Sequence, residues 1–396
     1  MTNYNIDDVR SVAVLMPDMH MGNLLVSLPC VAALRERFSG RRFTLVVDEA
    51  YAELAASVGT TVNLLPLERK KIRGLAVTGT ARFIGLIKRI RDARPDLAID
   101  LEGGGASALM AFFSGAGVRA SRVTSARPWA YNVRVDITQG RHKAYTYAEA
   151  AEFFGAFVDS DRLAGFRLKP SVRHMQEAEA ALGGLGLSPS DAIICVHAGA
   201  GKPFKRWGAE GFAQTAVRLA AEGAAVIFIG GPGDVKITAE VMALISSKTS
   251  KIGDGGVAAR NLPARDLTDK LSLGGLSALF SISRLFIGND SGPMHLAAMS
   301  GAPVVALFGP ADEARWAPLT ARSAVLRGGR RCLRCTNEDC ALDFVCIRSI
   351  KADAVVDAAM KLLSESRRDA PDAKNVNDDQ ALLAAAAPLR QAKDAR

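Results

Sequence analysis

The stretch from Arg284 to Pro310, RLFIGNDSGPMHLAAMSGAPVVALFGP, leaves few folds open to the chain. Leu285, Phe286 and Ile287 form an apolar run of strand length, and Val304 to Phe308 form another. Between them Asp290 and Ser291 suit a helix N-cap, Pro293 a first helical turn and Gly301 the exit. Two buried strands joined by one short helix make a βαβ unit, with parallel strands and ligands at the strands' carboxyl ends. Asp290, Ser291, Gly292 and His295 are therefore expected together at a strand end, beside the positive pole of a helix. An anionic ligand such as a sugar nucleotide would sit there. Taken alone, DSGPMH also reads as an ordinary capped helix with His295 as a packed residue.

The same alternation runs through the chain. Ser11–Met16 (SVAVLM) reads as a buried strand, followed by the loop Pro17-Asp18-Met19-His20-Met21-Gly22-Asn23, a helix from Leu24 to Phe38 and a strand over Arg41–Val47. No G-x-G-x-x-G follows the first strand, which argues against a dehydrogenase-type dinucleotide site. Further strands are expected at Thr61–Pro66 and Leu97–Leu101, with a basic helix near Ala81–Arg94 and a helix at Tyr145–Phe154 closing the first half. The second half opens with the strand Ala192–Val196 and the loop His197-Ala198-Gly199-Ala200-Gly201-Lys202-Pro203-Phe204-Lys205-Arg206-Trp207. Strand Ala225–Ile229 runs into Gly230-Gly231-Pro232-Gly233-Asp234, and in the segment from Leu267 to Ser283 the run LSLGGLSALFSIS, Leu271–Ser283, reads as an amphipathic helix that delivers the chain to Arg284. Lys351–Leu363 reads as a terminal helix, and residues 364–396, charged and Ala-rich, as a mostly disordered tail.

At 396 residues the chain exceeds one usual core and suggests two domains. No apolar run approaches the ~20 residues that span a bilayer, and the start is polar and acidic, unlike a secretory signal, so a cytosolic protein is expected. The net charge of +9, with basic clusters such as Arg35–Arg42, Lys70–Arg73 and Arg119–Arg127, favours anionic partners, although many of these residues suit solvated helix faces. Aromatic residues are sparse and no recognition-helix, stacking-sheet or finger pattern is present, so nucleic acid fits poorly as the partner.

The run DSGPMHLAAMSGAPVVALFGP resembles the signature of glycosyltransferase family 9, the bacterial lipopolysaccharide heptosyltransferases. Other motifs fall in that family's order: an M-G loop before a helix, H-A-G-A-G…K-R-W, G-G-P-G-D, S-L-G-G-L and a terminal Cys run, from about Val12 to Leu363. The resemblance implies an α/β GT-B fold, two doubly wound Rossmann-like domains facing a central cleft. An acceptor domain would cover 1–165 and a donor domain 166–350, with the terminal helix at 351–363. It also implies an inverting transfer of a heptose, or a related sugar, from an ADP-sugar to an anionic lipopolysaccharide core acceptor. The work would be done at the inner membrane face, with no cofactor for the chemistry and no nucleic acid. Alternatives are another nucleotide sugar, a protein acceptor, or a non-catalytic sugar-nucleotide or glycolipid binder.

Site residues follow by position. Gly199 and Ala200 lie in a loop whose backbone suits phosphate, and Lys205 matches the cation that neutralises the leaving diphosphate, with Lys202 as competitor. Asp234 matches an acidic residue on the ribose, or is a helix cap, and Leu271 matches a residue whose backbone reads adenine. Asp290, Ser291, Gly292 and His295 would hold the donor's sugar and diphosphate. Many relatives read M-G-D in the first loop with that Asp as general base, whereas this chain has Met21-Gly22-Asn23, and an amide takes no proton. Asp18 is the favoured substitute, with His20 in the same loop, an orienting role for Asn23, or loss of catalysis as the other possibilities; Asp100 and Glu102 are in reserve. Cys332, Cys335, Cys340 and Cys346 form a metal-like spacing, read here as four reduced thiols, with a structural metal as the alternative. Cys30 and Cys195 are expected to be buried apolar residues.

Overall fold

The computed structural model describes residues 5–59, 61–68, 76–138, 140–250, 263–329, 340 and 342–368. Their strands fall into two six-stranded sheets, each parallel throughout. The first holds β1 (Ser11–Met16), β2 (Arg42–Asp48), β3 (Val62–Leu67), β4 (Leu97–Asp100), β5 (Val118–Arg122) and β6 (Val133–Val135) in the order β3-β2-β1-β4-β5-β6. The second holds β7 (Ile193–His197), β8 (Ala225–Phe228), β9 (Ala264–Asp266), β10 (Leu285–Asn289), β11 (Val304–Phe308) and β12 (Ser323–Arg327), ordered β9-β8-β7-β10-β11-β12. Counted within its own half, each sheet is 3-2-1-4-5-6, so the strand order reverses between β1 and β4 and again between β7 and β10. Crevices open at the carboxyl ends of those pairs.

The central strands β1, β7, β10 and β11 are buried along their whole length, as continuous apolar runs covered on both faces must be. Sequence pattern reaches these four and passes over β5, β6, β9 and β12. Three of those are sheet edges, and all are short or carry arginines, so they lack an apolar run. The helix expected over LSLGGLSALFSIS, Leu271–Ser283, starts two residues later and ends one residue earlier than that run. β9 and a turn occupy its approach, and the helix proper is Leu273–Ile282, started by Ser272, whose Oγ accepts from Gly275 N at 3.0 Å.

The helices that position the site are α1 (Met21–Arg37), α2 (Ala76–Asp92), α3 (Gly105–Phe113), α4 (Lys143–Glu152), α5 (Val172–Gly184), α6 (Ala209–Ala221), α7 (Val235–Ser250), α8 (Leu273–Ile282), α9 (Gly292–Met299) and α10 (Ala352–Arg368). Helix α1 begins three residues before the expected Leu24, so Met21, Gly22 and Asn23 belong to its first turn. It is buried on most sides, packing on α4 of its own half and on α9 of the other. One apolar core therefore runs from the first sheet through Leu24, Leu28 and Val31 to Leu296 and Met299. Each such side chain contributes roughly 1.5–3 kcal/mol by leaving water. A polar contact also crosses between the halves: Gly274 N at the start of α8 donates to Glu53 Oε2 at 3.1 Å. Helix α10 lies against α6 and continues past Leu363, where the apolar pattern stops, to Arg368.

Candidate active site

The carboxyl ends of β7 and β10 build one wall of the cleft. Asn289, the last residue of β10, is fully buried; its Nδ2 donates to the carbonyls of Ala198 and Gly199 at 3.0 Å each, and its Oδ1 accepts from Trp207 N at 3.1 Å. This one side chain fixes both ends of the loop that carries Lys205. Trp207 itself packs edge-on to Phe212, as a core residue would. Lys205 Nζ then lies 2.6 Å from Asp290 Oδ2. Burial raises the Asp290 carboxyl above its ordinary range while the Lys205 charge opposes that shift. Lys202 lines the same cleft.

Ser291 takes the N-cap position of α9, but its hydroxyl makes no capping bond, contrary to the sequence expectation. Its extended backbone (φ −155°, ψ 170°) turns Oγ back to Asn289 O at 3.1 Å and His197 Nδ1 at 3.2 Å. The other ring nitrogen of His197 lies 3.1 Å from Asp234 Oδ2, which also accepts from Gly231 N at 2.9 Å. Burial alone would raise the Asp234 carboxyl, but the hydrogen bond and charge of His197, with Gly231 N and Arg206, hold it below the usual range. A Cβ on Gly199 would stand 1.9 Å from Asp234 Oδ1, so glycine there makes room for the carboxylate. His295 is buried in α9, and burial, then the charges of His142 and Lys205, lower its imidazole to about 3. It is therefore a neutral hydrogen-bonding group at physiological pH, and its Nδ1 finds no partner among the described residues.

The loop after β1 forms the opposite wall. Asp18 accepts from His20 N at 2.8 Å and from Asn23 Nδ2 at 2.6 Å, and stands 2.9 Å from His20 Nδ1. The Asp18 side chain is 12% exposed and the His20 ring 71%, so the carboxylate backs an imidazole that faces solvent. His20, Asn23, Lys205, Asp290, Ser291 and His295 all line one cleft of about 590 Å³. At its floor the halves meet. A Cβ on Gly22 would lie 3.2 Å from His295 Cδ2, and one on Gly292 only 2.4 Å from Met21 Cε.

A family model described as Glycosyltransferase family 9 (heptosyltransferase) matches residues 83–345. The chain belongs to glycosyltransferase family 9. Among curated relatives, the lipooligosaccharide heptosyltransferase 2 of Campylobacter jejuni is 28% identical over 164 residues, 41% of this chain and 48% of that protein. The chain thus spans about half the length of that relative. Among solved structures, Escherichia coli ADP-heptose lps heptosyltransferase II aligns with a TM-score of 0.69 at 22% identity, over 90% of this chain and 99% of that one. A glycosyltransferase family 9 structure from Veillonella parvula gives 0.72 at 22%, over 90% and 97%. At such identities the likeness is one of fold, two parallel-sheet Rossmann-like lobes of GT-B type.

Of the other residues singled out from the sequence of this family 9 chain, Leu271, Ala200, Asp100, Cys30 and Cys195 do not line the cleft. Leu271 packs against the main core just before Ser272, whose N and Oγ bond to Glu177. Ala200 is buried, its carbonyl accepting from Arg206 Nε at 3.0 Å. Asp100 is buried, accepts from Tyr131 Oη at 2.6 Å and Gly103 N at 2.8 Å, and its carboxyl is raised by burial. Near Asp18 lies Lys143, stacked on the Tyr147 ring at 4.9 Å; burial, then the charges of Arg122 and Arg315, lower its ammonium to about 8. Cys30 and Cys195 are fully buried, and burial pushes the Cys195 thiol up to about 12. Cys340 Sγ accepts from Phe344 N at 3.3 Å and Cys346 is buried, while Cys332, Cys335 and the basic run Lys70, Lys71 and Arg73 lie outside the described residues. Sequence reasoning did not single out His197, Asn289 or Lys143. The first two end buried strands, which is the signal that could have found them.

Proposed function

We propose that the chain is an inverting glycosyltransferase that moves a heptose, or a closely related sugar, from an ADP-sugar to an anionic lipopolysaccharide core acceptor. One observation carries this: Lys205 and the N-terminal pole of α9 face the Asp18–His20 pair across a single cleft. In such a transfer the acceptor oxygen bonds to the anomeric carbon, the bond from that carbon to the diphosphate oxygen breaks, and ADP leaves with the electron pair. Lys205, drawn from Asp290 toward the diphosphate, would neutralise the charge that develops on it. The acceptor's proton goes to His20 Nε2. Asp18 holds Nδ1–H, which leaves the Nε2 lone pair on the exposed side of the ring. Asn23 orients Asp18 through its amide and takes no proton.

Lys143 and Arg122 of the first half, with Arg315 of the second acting on Lys143, supply positive charge suited to an acceptor's phosphates or carboxylates. Peripheral contact with the inner membrane face is supported by exposed Phe112, Phe113 and Trp129 in edge-to-face contact, with the Arg119 guanidinium 5.8 Å from the Phe112 ring centroid. Among the described residues no helix is long and apolar enough to cross a membrane.

The donor assignment is tested by melting the protein with ADP, UDP or GDP. At a hundredfold excess over Kd, binding stabilises by roughly 2.7 kcal/mol, so ADP should raise Tm by several degrees and the other two should not. A shift with UDP or GDP alone would refute the ADP-sugar reading. Binding of ADP with no sugar transfer to any core acceptor would leave a non-catalytic binder.

A further inference from the structure

Two of the chain's three tryptophans stand on the second half, one as a core ring and one open to the cleft. Trp207 is 4% exposed, meets Phe212 edge-on and donates its Nε1–H to the Ile350 carbonyl at 2.9 Å. A buried indole ordinarily finds such a partner. Trp316 is placed differently. Its ring is only partly buried, rests against the main core and lines the cleft, and its Nε1–H has no hydrogen-bond partner among the described residues.

His295 fixes where along the cleft this ring lies, with the ring centroids 6.2 Å apart and the planes at 65°. His295 belongs to α9, the helix whose N-terminal pole, with Lys205, is suited to the diphosphate. The transferred sugar is bonded directly to the terminal phosphate, so it lies beside those groups. A sugar ring carries hydroxyls around its edge and C–H bonds on its faces. An indole face covers the C–H bonds, and an unspent N–H answers a hydroxyl. Tyr51, which also lines the cleft, belongs to the first half and donates its Oη to Met19 O at 2.9 Å.

The grip on Trp316 comes from the opposite half. Trp316 ends the helical turn Glu313–Trp316, and the next carbonyl, Ala317 O, lies 2.9 Å from His142 Nε2. His142 is the N-cap of α4, where its Nδ1 accepts from Ala144 N at 3.2 Å. A backbone N–H only donates and a carbonyl only accepts, so the proton is on Nε2 and both ring nitrogens are used. This bond joins residues 175 apart in the chain and ties the two halves together next to the indole.

We propose that Trp316 is a specificity residue for the transferred sugar, its indole stacked on the sugar's C–H face with Nε1–H donated to a hydroxyl, and that His142 is a positioning residue that holds it from the other half. The inference rests on the nucleoside diphosphate-sugar reading of this cleft. It makes sugar recognition depend on contact between the halves, whereas Lys205 and the pole of α9 belong to the second half alone.

The test compares ADP with ADP-heptose on the full-length protein, without acceptor, by calorimetry and tryptophan emission. ADP-heptose should change the emission in a way that ADP does not, and Trp316→Phe should abolish that difference. Trp316→Leu should weaken ADP-heptose by roughly fivefold, the scale of one stacked ring, and leave ADP unchanged. His142→Ala should weaken ADP-heptose by about threefold with ADP again unchanged, and His142→Gln, which keeps an N–H for the Ala317 carbonyl, should restore it. Equal losses for ADP and ADP-heptose in Trp316→Leu would make the ring structural and overturn the proposal, as would an emission change that appears only when a core acceptor is added. Should Trp316→Leu fail to fold, the Trp316→Phe spectra decide alone. ADP-heptose binding unchanged in His142→Ala overturns the positioning role. Wild-type protein that binds neither ligand overturns the donor reading and this inference with it.

Discussion

Replacing Gly199 by alanine tests whether this glycine serves the backbone or the carboxylate behind it. Gly199 does not have a left-handed φ, so alanine adds no backbone strain. The added methyl would stand 1.9 Å from Asp234 Oδ1, 2.5 Å from its Cγ and 3.0 Å from His197 Nε2, so the Asp234 side chain has to leave. Its bonds to His197 and Gly231 N go with it. Hydrogen bonds to charged groups contribute about 1.5–3 kcal/mol each, and solvent recovers part of the loss for a side chain 21% exposed. A cost of roughly 2 kcal/mol follows, read by urea unfolding at pH 7. The decisive measurement is the double-mutant cycle: in an Asp234→Ala background Gly199→Ala should cost far less, since the two Asp234 atoms are gone and only the 3.0 Å approach to His197 Nε2 remains. The penalty also has a sign in pH. Asp234 is held below its ordinary value of 3.8, so its stabilisation is present above that value and fades as pH falls through the folded one, and the two proteins should converge in acid. Equal destabilisation by Gly199→Ala in both backgrounds would refute the steric account.

Three further outcomes are expected. His20→Gln should slow sugar transfer about a hundredfold or more while ADP binding holds, and Asp18→Asn should slow it less; full turnover in His20→Gln with none in Asp18→Asn would make Asp18 the base itself. Lys143 is lowered from 10.5 to about 8, so between those values the unfolded chain binds more protons and stability should rise with pH, while KM for an anionic acceptor climbs above pH 8; both trends should vanish in Lys143→Met, by denaturation and initial-rate measurements from pH 7 to 10. Gly183→Ala, near the end of α5 with open space around the new methyl, should stabilise by about 0.5–1 kcal/mol in urea, and a loss would show that the helix end needs glycine.

The parts of the fold legible in the sequence are those where apolar runs are long. SVAVLM at β1 and VVALF at β11 could be little else than buried strands, and the rule that ligands gather at strand ends brought Asp290, Ser291 and His295 to one place. The glycine-containing loop after a strand called for a cation, and the family resemblance chose Lys205 over its competitor Lys202. The edge strand ARD at Ala264–Asp266 has no periodicity to read. The partnership of His197 spans 37 residues to Asp234 and 94 to Ser291, and no local pattern encodes such distances. Asp18 was singled out as a candidate base from its loop position. That it stands behind His20, braced by Asn23, depends on the start of α1 at Met21, three residues ahead of the apolar periodicity.

The burial of α1 between its own sheet and α9 bears on how such enzymes can be rebuilt. Grafting the nucleotide-binding lobe of one family member onto the other lobe of a second is an obvious route to new donor specificity. Here the seam cuts through shared apolar packing, with Met21 against Gly292 and Gly22 against His295 at its edge. A chimera would have to carry α1 and α9 as a matched pair, whichever parent supplies the remaining strands.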